Sequence, residues 1–340
     1  MAAPSALHAL RAFGVQVASD TAEYEQLRGY GCAGYLTDAT SNPSLVYAAV
    51  CKAEYAHLVD DAVAYARARG GGDARLAMDR LVALVSAEIA RIVPGRVSVS
   101  ADPRLAHDTP ALIAAAHALV AQLAALGVPR HRVLIKIPAT HAGIRAARHL
   151  ERAQDEAIHT NMTLVFGRVQ AAACAEAGVR VISPFIGRVK DFYDARNPGP
   201  LAPAPLAKHP GIQLVQSIRA SFAARGVKTE ILAAGFRAPE EVIELCACGP
   251  AAGPDAVTIP PSLIAPLLAT QQREPRRALP PLTDEPAEEE AQYFGPGGAQ
   301  AYARDIAQEE IAAVKVPEGL GKFSADAQAM EDMLQRRLEL

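Results

Sequence analysis

Eight short runs of apolar and β-branched residues recur along this 340-residue chain, and they constrain its fold more than any other feature. They are FGVQVAS (13–19), GYLTDAT (34–40), RVSVSAD (96–102), VLIKIP (133–138), IHTNMTL (158–164), VRVISPF (179–185), TEILAAGF (229–236) and DAVTIP (255–260). Runs this short, several of them almost wholly apolar, predict strands buried on both faces. The intervening stretches are mostly Ala-rich with helical spacing, as at 55–69 and 111–126, and most end on a glycine stop such as Gly70-Gly71-Gly72, Gly127 or Gly178. Strand–helix alternation repeated eight times implies a parallel sheet. Closed on itself, that sheet is an α/β fold, a single (β/α)8 TIM-type barrel; an open doubly wound sheet is the alternative.

The length suits one large domain, 1–340, and half the residues are hydrophobic, enough to fill its core. The N-terminal MAAPSALHALRAFG is apolar at Leu7, Leu10 and Phe13 and predicts a short extra helix packed on the body. Residues 271–298 lose the apolar period and are rich in Pro and charge, which predicts a surface connection whose EPAEEE run is a solvated face. From about Gln300 the helical spacing resumes, giving C-terminal helices, 300–340, that pack on the barrel.

The bulk numbers exclude several functions. Net charge is −3, with both signs mixed along the chain, so neither nucleic acid nor an acidic membrane is an expected partner. Arg276-Arg277 and Arg336-Arg337 are too short to form basic patches. No apolar run approaches the ~20 residues of a membrane span. Five cysteines without paired spacing point to a reducing, cytoplasmic setting; a plastid location after removal of a transit segment is the alternative. Cys246-Ala247-Cys248 lacks the spacing of a zinc site, and the cysteines read as small buried apolar residues. Gly29 to Gly34 fits G-x-G-x-x-G, but a helix-like stretch (21–28) precedes it and a strand follows, the reverse of a dinucleotide fingerprint. It reads as a flexible turn, and no cofactor is expected.

The stretch VLIKIPAT (133–140) places a lysine inside an apolar strand. Lysine is almost never fully buried unless something pairs with it or uses it. An amine held out of water has a depressed pKa and can attack a carbonyl. In a parallel barrel the strand ends and the loops after them build the site. The polar residues there are Asp20; Asp38, Thr40 and Asn42; Ser98, Ser100 and Asp102; Lys136; Asn161 and Thr163; Ser183 and Arg188; and Arg237. One lysine among Asn, Thr, Ser and carboxylates suits Schiff-base chemistry, and two arginines suit recognition of a phosphate. No cluster has metal-ligand spacing, so no metal is expected. Each residue also has a structural reading. Asp20 and Asn42 fit helix or turn caps, Ser183-Pro184 fits a strand end, and Arg188 fits an ion pair with Asp191.

Several longer motifs resemble the transaldolase family. DATSNPSLV (38–46) resembles its first signature, and VLIKIPATHAGIRAA (133–147) its Schiff-base lysine signature. NMTLVFGRVQAAACAEAGVRVISPFIGRVKDFY (161–193) matches the region that follows, GFR (235–237) a phosphate contact, and AVKVPEGLGKFSADAQAMEDML (313–334) the closing helices. The resemblance implies a metal-free, cofactor-free aldolase-type barrel of the pentose phosphate pathway acting on sugar phosphates, and family members are often homodimers. By the same resemblance Lys136 forms the imine, Asp20 exchanges the proton of the C4 hydroxyl, and Thr163 positions a proton-carrying water. Asn42 and Asn161 hold the retained dihydroxyacetone unit, Thr40 and Ser183 line the pocket, Phe185 walls it off from water, and Arg188 and Arg237 hold the phosphate.

Two departures stand out. Ser100 occupies the position of a family glutamate that moves protons with Thr163 and a water, and a neutral serine is no comparable base. Gly235 replaces a phosphate-contacting serine, and His141 stands where an aromatic tryptophan is common. Three functions follow: a transaldolase using Ser100 and a water or borrowing Asp102; a fructose 6-phosphate aldolase, against which the unhydroxylated Phe185 speaks; or a catalytically weak paralogue kept for binding or regulation.

Overall fold

A computed structural model describes residues 5–32, 34–153, 156–196, 206–271 and 292–340. Eight parallel strands close into a barrel in chain order, β1 to β8, with β8 pairing back to β1. They are β1 Gln16–Asp20, β2 Asp38–Thr40, β3 Val97–Ser100, β4 Val133–Pro138, β5 Thr160–Val165, β6 Val181–Pro184, β7 Glu230–Ala233 and β8 Ala256–Ile259. Each lies within one of the eight predicted runs, except β5, which extends one residue beyond its run, and β1, which extends one residue to reach Asp20. Helix α1, Ala6–Ala12, precedes the barrel. Between strands run α2 Tyr24–Cys32, α3 Pro43–Val50, α4 Ala56–Gly70, α5 Ala74–Ile92, α6 Thr109–Ala125, α7 His141–Glu151, α8 Arg168–Ala177, α9 Ile186–Arg196, α10 Pro210–Ala224 and α11 Pro239–Cys246. Then follow α12 Pro261–Ala269, α13 Gly298–Gln308 and α14 Glu310–Leu338.

Alternation along each strand sorts the side chains into two layers. Val17, Val99, Ile135, Ile137, Ile182, Val257 and Ile259 are buried in the shell between strands and helices. Ala18, Leu134, Val181, Leu232 and Ala256 form a separate apolar cluster inside the barrel. Two residues further along, on the same inner face, stand Asp20, Lys136, Ser183 and Thr258. A small apolar floor thus carries a polar tier, the arrangement that gives a parallel barrel its site at the carboxyl ends of the strands.

Two irregularities shape that end. Strand β5 bulges between Met162 and Val165, and Leu164 has φ +60°, the left-handed region a side chain rarely adopts. Helix α14 does not ring the barrel like the others. It packs against α3, α5 and β5, and Ile311, Leu320 and Phe323 join Leu164, Phe166, Phe185 and Phe192 in a second apolar cluster.

Some expectations are corrected. The G-x-G-x-x-G segment is no turn: α2 runs through Gly29 and Gly31 to Cys32. Cys174 and Cys246 are buried as expected, but Cys51 is exposed. Of the predicted surface connection, residues 272–291, with the EPAEEE run, lie outside the described residues. No described helix is long and apolar enough to cross a membrane.

Candidate active site

The parallel register sets the predicted residues side by side. Ser100 pairs with Lys136 and Lys136 with Asn161, while Asp20 pairs with Thr40 and Thr40 with Ser98. Lys136 is 4% exposed, and its Nζ donates a 3.0 Å hydrogen bond to the carbonyl of Ser41. Burial lowers its pKa, and the negative charge of Asp20 opposes that fall. Asp20 shows the mirror image. Burial raises its pKa, while the charge of Lys136 and a 2.9 Å hydrogen bond donated by Thr40 Oγ1 pull it down. Each group is therefore moved toward its neutral form by burial and drawn back toward its charged form by the other.

Around them runs a chain of short polar contacts. Thr40 Oγ1 lies 2.6 Å from Thr258 Oγ1. Asn161, fully buried, donates to Ser98 Oγ at 3.0 Å and accepts from Ser183 Oγ at 2.7 Å. These bonds fix the amide's orientation beside the lysine. Thr163 is also buried, and its hydroxyl has no partner among the described residues.

The structural readings sort themselves residue by residue. Asn42 does cap α3, its Oδ1 accepting from Leu45 N at 3.0 Å. Asp20 is not the turn cap; the hydroxyl of Thr21 accepts from Glu23 N instead. Ser183 precedes Pro184, the last residue of β6, and still bonds Asn161. The ion pair read for Arg188 is not formed: Asp191 pairs with Arg237 at 2.9 Å. Asp102 is no free base either. Arg75 and Arg104 both bind its carboxylate, and it accepts from Arg104 N. His141 turns to the outer surface, where it contacts the carbonyl of Tyr293 at 3.1 Å and stacks on Phe294.

Arg188 and Arg237 stand together at the rim. A Cβ on Gly187 would lie 2.2 Å from the carbonyl of Gly235 and 3.0 Å from Arg237 Cγ, so glycine allows the two strand ends to close up. Gly235 has φ +76°, which accounts for glycine where a serine was anticipated. Glu241 accepts from the backbone of Arg237 at 2.7 Å, and buried His209 braces Glu241 at 3.3 Å. Arg188 lies over the rings of Phe185 and Phe323, at 5.5 and 6.0 Å. Burial lowers its pKa, with the neighbouring Arg237 charge acting in the same direction and Glu318 and Asp191 against it. Two guanidinium groups close enough to repel, on a ledge of aromatic rings, suit an anion between them. Phe185 is 9% exposed and packs at 5.8 Å from Phe166.

Three participants were missed in the sequence. Ser41 contributes only a carbonyl, for which no side-chain signal exists. Thr258 was detectable as the polar residue on the inner face of the last strand. Gln170 is fully buried and holds three backbone groups: the carbonyls of Ala139 and Leu164, each at 2.9 Å, and the N–H of Phe166, also at 2.9 Å.

Residues 17–334 match the profile of the Transaldolase/Fructose-6-phosphate aldolase family. The chain is similar to a transaldolase of Schizosaccharomyces pombe, 39% identical over 338 residues, 98% of this chain and 99% of the relative. It is similar at 37% over 341 residues, 99% of each chain, to a transaldolase of Xanthomonas campestris. A probable transaldolase of Dictyostelium discoideum is 37% identical over 332 residues, 95% of this chain and 96% of the relative.

Proposed function

The chain belongs to the transaldolase/fructose-6-phosphate aldolase family, and from that premise we propose that it is a transaldolase of sugar-phosphate metabolism acting through a Lys136 Schiff base. The single observation that carries this reading is the buried amine of Lys136, electrostatically coupled to the part-buried carboxyl of Asp20. An amine must be unprotonated to attack, and burial shifts Lys136 toward that form.

The chemistry follows from the layout. Nζ adds to the ketone carbon of a ketose phosphate, such as fructose 6-phosphate or sedoheptulose 7-phosphate, and water leaves, giving a protonated imine. The C4 hydroxyl passes its proton to Asp20 as the C3–C4 bond breaks. The aldose phosphate departs as an aldehyde, and the bonding pair moves into the imine, giving an enamine. Asn161, Asn42 and Ser183 hold the attached dihydroxyacetone unit. A second aldose phosphate takes the pair, Asp20 returns its proton, and hydrolysis frees the new ketose. Arg188 and Arg237 hold the phosphate, and Phe185 keeps water from the enamine. The unpartnered hydroxyl of Thr163 suits a water that carries protons, since a buried hydroxyl left without any partner costs about 1–3 kcal/mol.

Release of dihydroxyacetone, the aldolase outcome, is disfavoured by Phe185, which has no hydroxyl to assist it. A weak paralogue is the second reading, favoured by one observation: Ser100 is no base, and Asp102 is held by two arginines.

Borohydride reduction in the presence of fructose 6-phosphate separates these. The expected result is added mass on the peptide carrying Lys136, lost in Lys136→Met. In a separate assay without borohydride, fructose 6-phosphate with erythrose 4-phosphate should yield sedoheptulose 7-phosphate. Free dihydroxyacetone in its place would favour the aldolase, and no label would remove the Schiff base altogether.

A further inference from the structure

A cationic cavity of about 690 Å³ lies on the outer face of α7, apart from the lysine. His141, Arg145, Arg148, His149 and Arg152 line it, and their spacing of four, three, one and three residues puts them on one face of the helix. Tyr293 and Phe294 form the facing wall. Arg148 is held in place: its Nη1 donates to the carbonyl of Phe294 at 3.2 Å, and its Cζ lies 4.9 Å from that ring. Arg145 and Arg152 are exposed and have no hydrogen-bond or ion-pair partner among the described residues.

Two neighbouring carboxylates, Glu151 and Glu176, are engaged elsewhere. Glu151 accepts from Thr160 N, Thr160 Oγ1 and Arg180 N, and contacts His159. Glu176 accepts from the backbone N–H groups of Tyr293 and Phe294. Both acids are turned to backbone amides, and no carboxylate lines the cavity among the described residues. Guanidinium groups left without carboxylates, around a cavity of small-molecule size, present planar donors to phosphate oxygens.

We propose that this cavity binds a small bisphosphate ester. Arg145 in α7 and Arg152, the residue that caps its C-terminus, are seven residues apart, about 10 Å along the helix axis. A single phosphate engages one of them together with Arg148, whereas two phosphates on one carbon skeleton engage both. The site is independent of the Schiff-base reading, because its test reads binding alone.

Titration calorimetry with fructose 1,6-bisphosphate tests it, using wild type, Arg145→Ala/Arg152→Ala and Arg188→Ala. The double variant should bind at least about tenfold more weakly, each charge-assisted contact being worth roughly that factor. Arg188→Ala, altered only at the barrel mouth, should retain the wild-type affinity, and inorganic phosphate should bind wild type at least tenfold more weakly than the bisphosphate. Arg145→Lys/Arg152→Lys keeps the charge without the planar fork and should fall between, guarding against a folding defect in the alanine variant. The proposal is overturned if wild type does not bind, if the double variant binds equally well, if Arg188→Ala abolishes binding, or if inorganic phosphate binds as tightly.

Discussion

Asp20 and Lys136 each favour the other's charged form against burial, and that makes the effect of removing either one predictable in sign. The Asp20 charge is what opposes the fall in the Lys136 pKa. Asp20→Asn deletes that opposition, so the amine should lose its proton at lower pH than in wild type. Trapping of fructose 6-phosphate by borohydride should persist in this variant, with its pH midpoint moved to the acid side. Turnover should fall by about 10²–10⁴, the usual cost of one positioned proton-transfer group. A midpoint that stays put or moves upward would show that the two groups are not coupled. Ser100 invites the opposite experiment. It pairs in register with Lys136, and Asp102 is held by arginines, so neither residue supplies a base for imine hydrolysis. Ser100→Glu should raise kcat, by tenfold or more if hydrolysis limits turnover; an unchanged or lower kcat would remove Ser100 as the weak point.

The element that positions much of this is β5, and its irregularity has an identifiable support. Leu164 in the left-handed region costs of order 1 kcal/mol or more and persists only if its surroundings hold it. Gln170 does so, binding Leu164 in β5, Phe166 just past its end and Ala139 just past the end of β4. Gln170→Leu fills the same space but takes this partner from the buried Leu164 carbonyl and the Phe166 N–H, while the Ala139 carbonyl keeps the Tyr302 hydroxyl. Stability should fall by about 2–5 kcal/mol, seen in urea unfolding. Because Thr163 adjoins the bulge, kcat should drop more than KM changes. A stable variant of normal kcat would mean that the bulge holds without Gln170. None of this was legible from residues: Leu-Val-Phe carries no glycine to announce a left-handed turn. The regular parts were. Eight strands and the helices at 56–70 and 109–125 follow local apolar periods, which sequence displays directly. The inner-face site residues follow from the same alternation, because Asp20, Lys136 and Ser183 sit two places beyond apolar floor residues. What failed were pairings between distant segments. Asp191 was assigned to nearby Arg188 and belongs to Arg237, 46 residues on. Asp102 reads as a free carboxylate along the chain, whereas the fold brings Arg75 and Arg104 onto it.

At the scale of the molecule, the barrel is closed over at one side by its own C-terminus. Helix α14 begins 145 residues after Val165, the end of β5, yet it packs onto that strand. Polar contacts tie it down along its length: Asp326 accepts from Ser44 beside the cap of α3, and Glu331 pairs with Arg104. At the mouth the contact is made by a glycine. A Cβ at Gly319 would lie 2.7 Å from Leu164 Cδ2 and 3.2 Å from Arg188 Nη1. Helix propensity alone favours replacing this glycine, by up to about 1 kcal/mol, so close approach is the reason a side chain is excluded. Gly319→Val should therefore destabilise the fold, by about 1–3 kcal/mol for overpacking, despite better helix propensity. The added methyl groups meet the Arg188 guanidinium on one side and Leu164 on the other, and the charged group at the rim is freer to move than the leucine in the core. Displacing Arg188 weakens the grip on phosphate in ground state and transition state alike, so KM for fructose 6-phosphate should rise several-fold while kcat stays near wild type. Steady-state kinetics on the purified variant, with unfolding followed in parallel, measure both. A kcat loss at constant KM would place the disturbance at Thr163 through Leu164 instead, and α14 would then act on the proton-transfer side of the site.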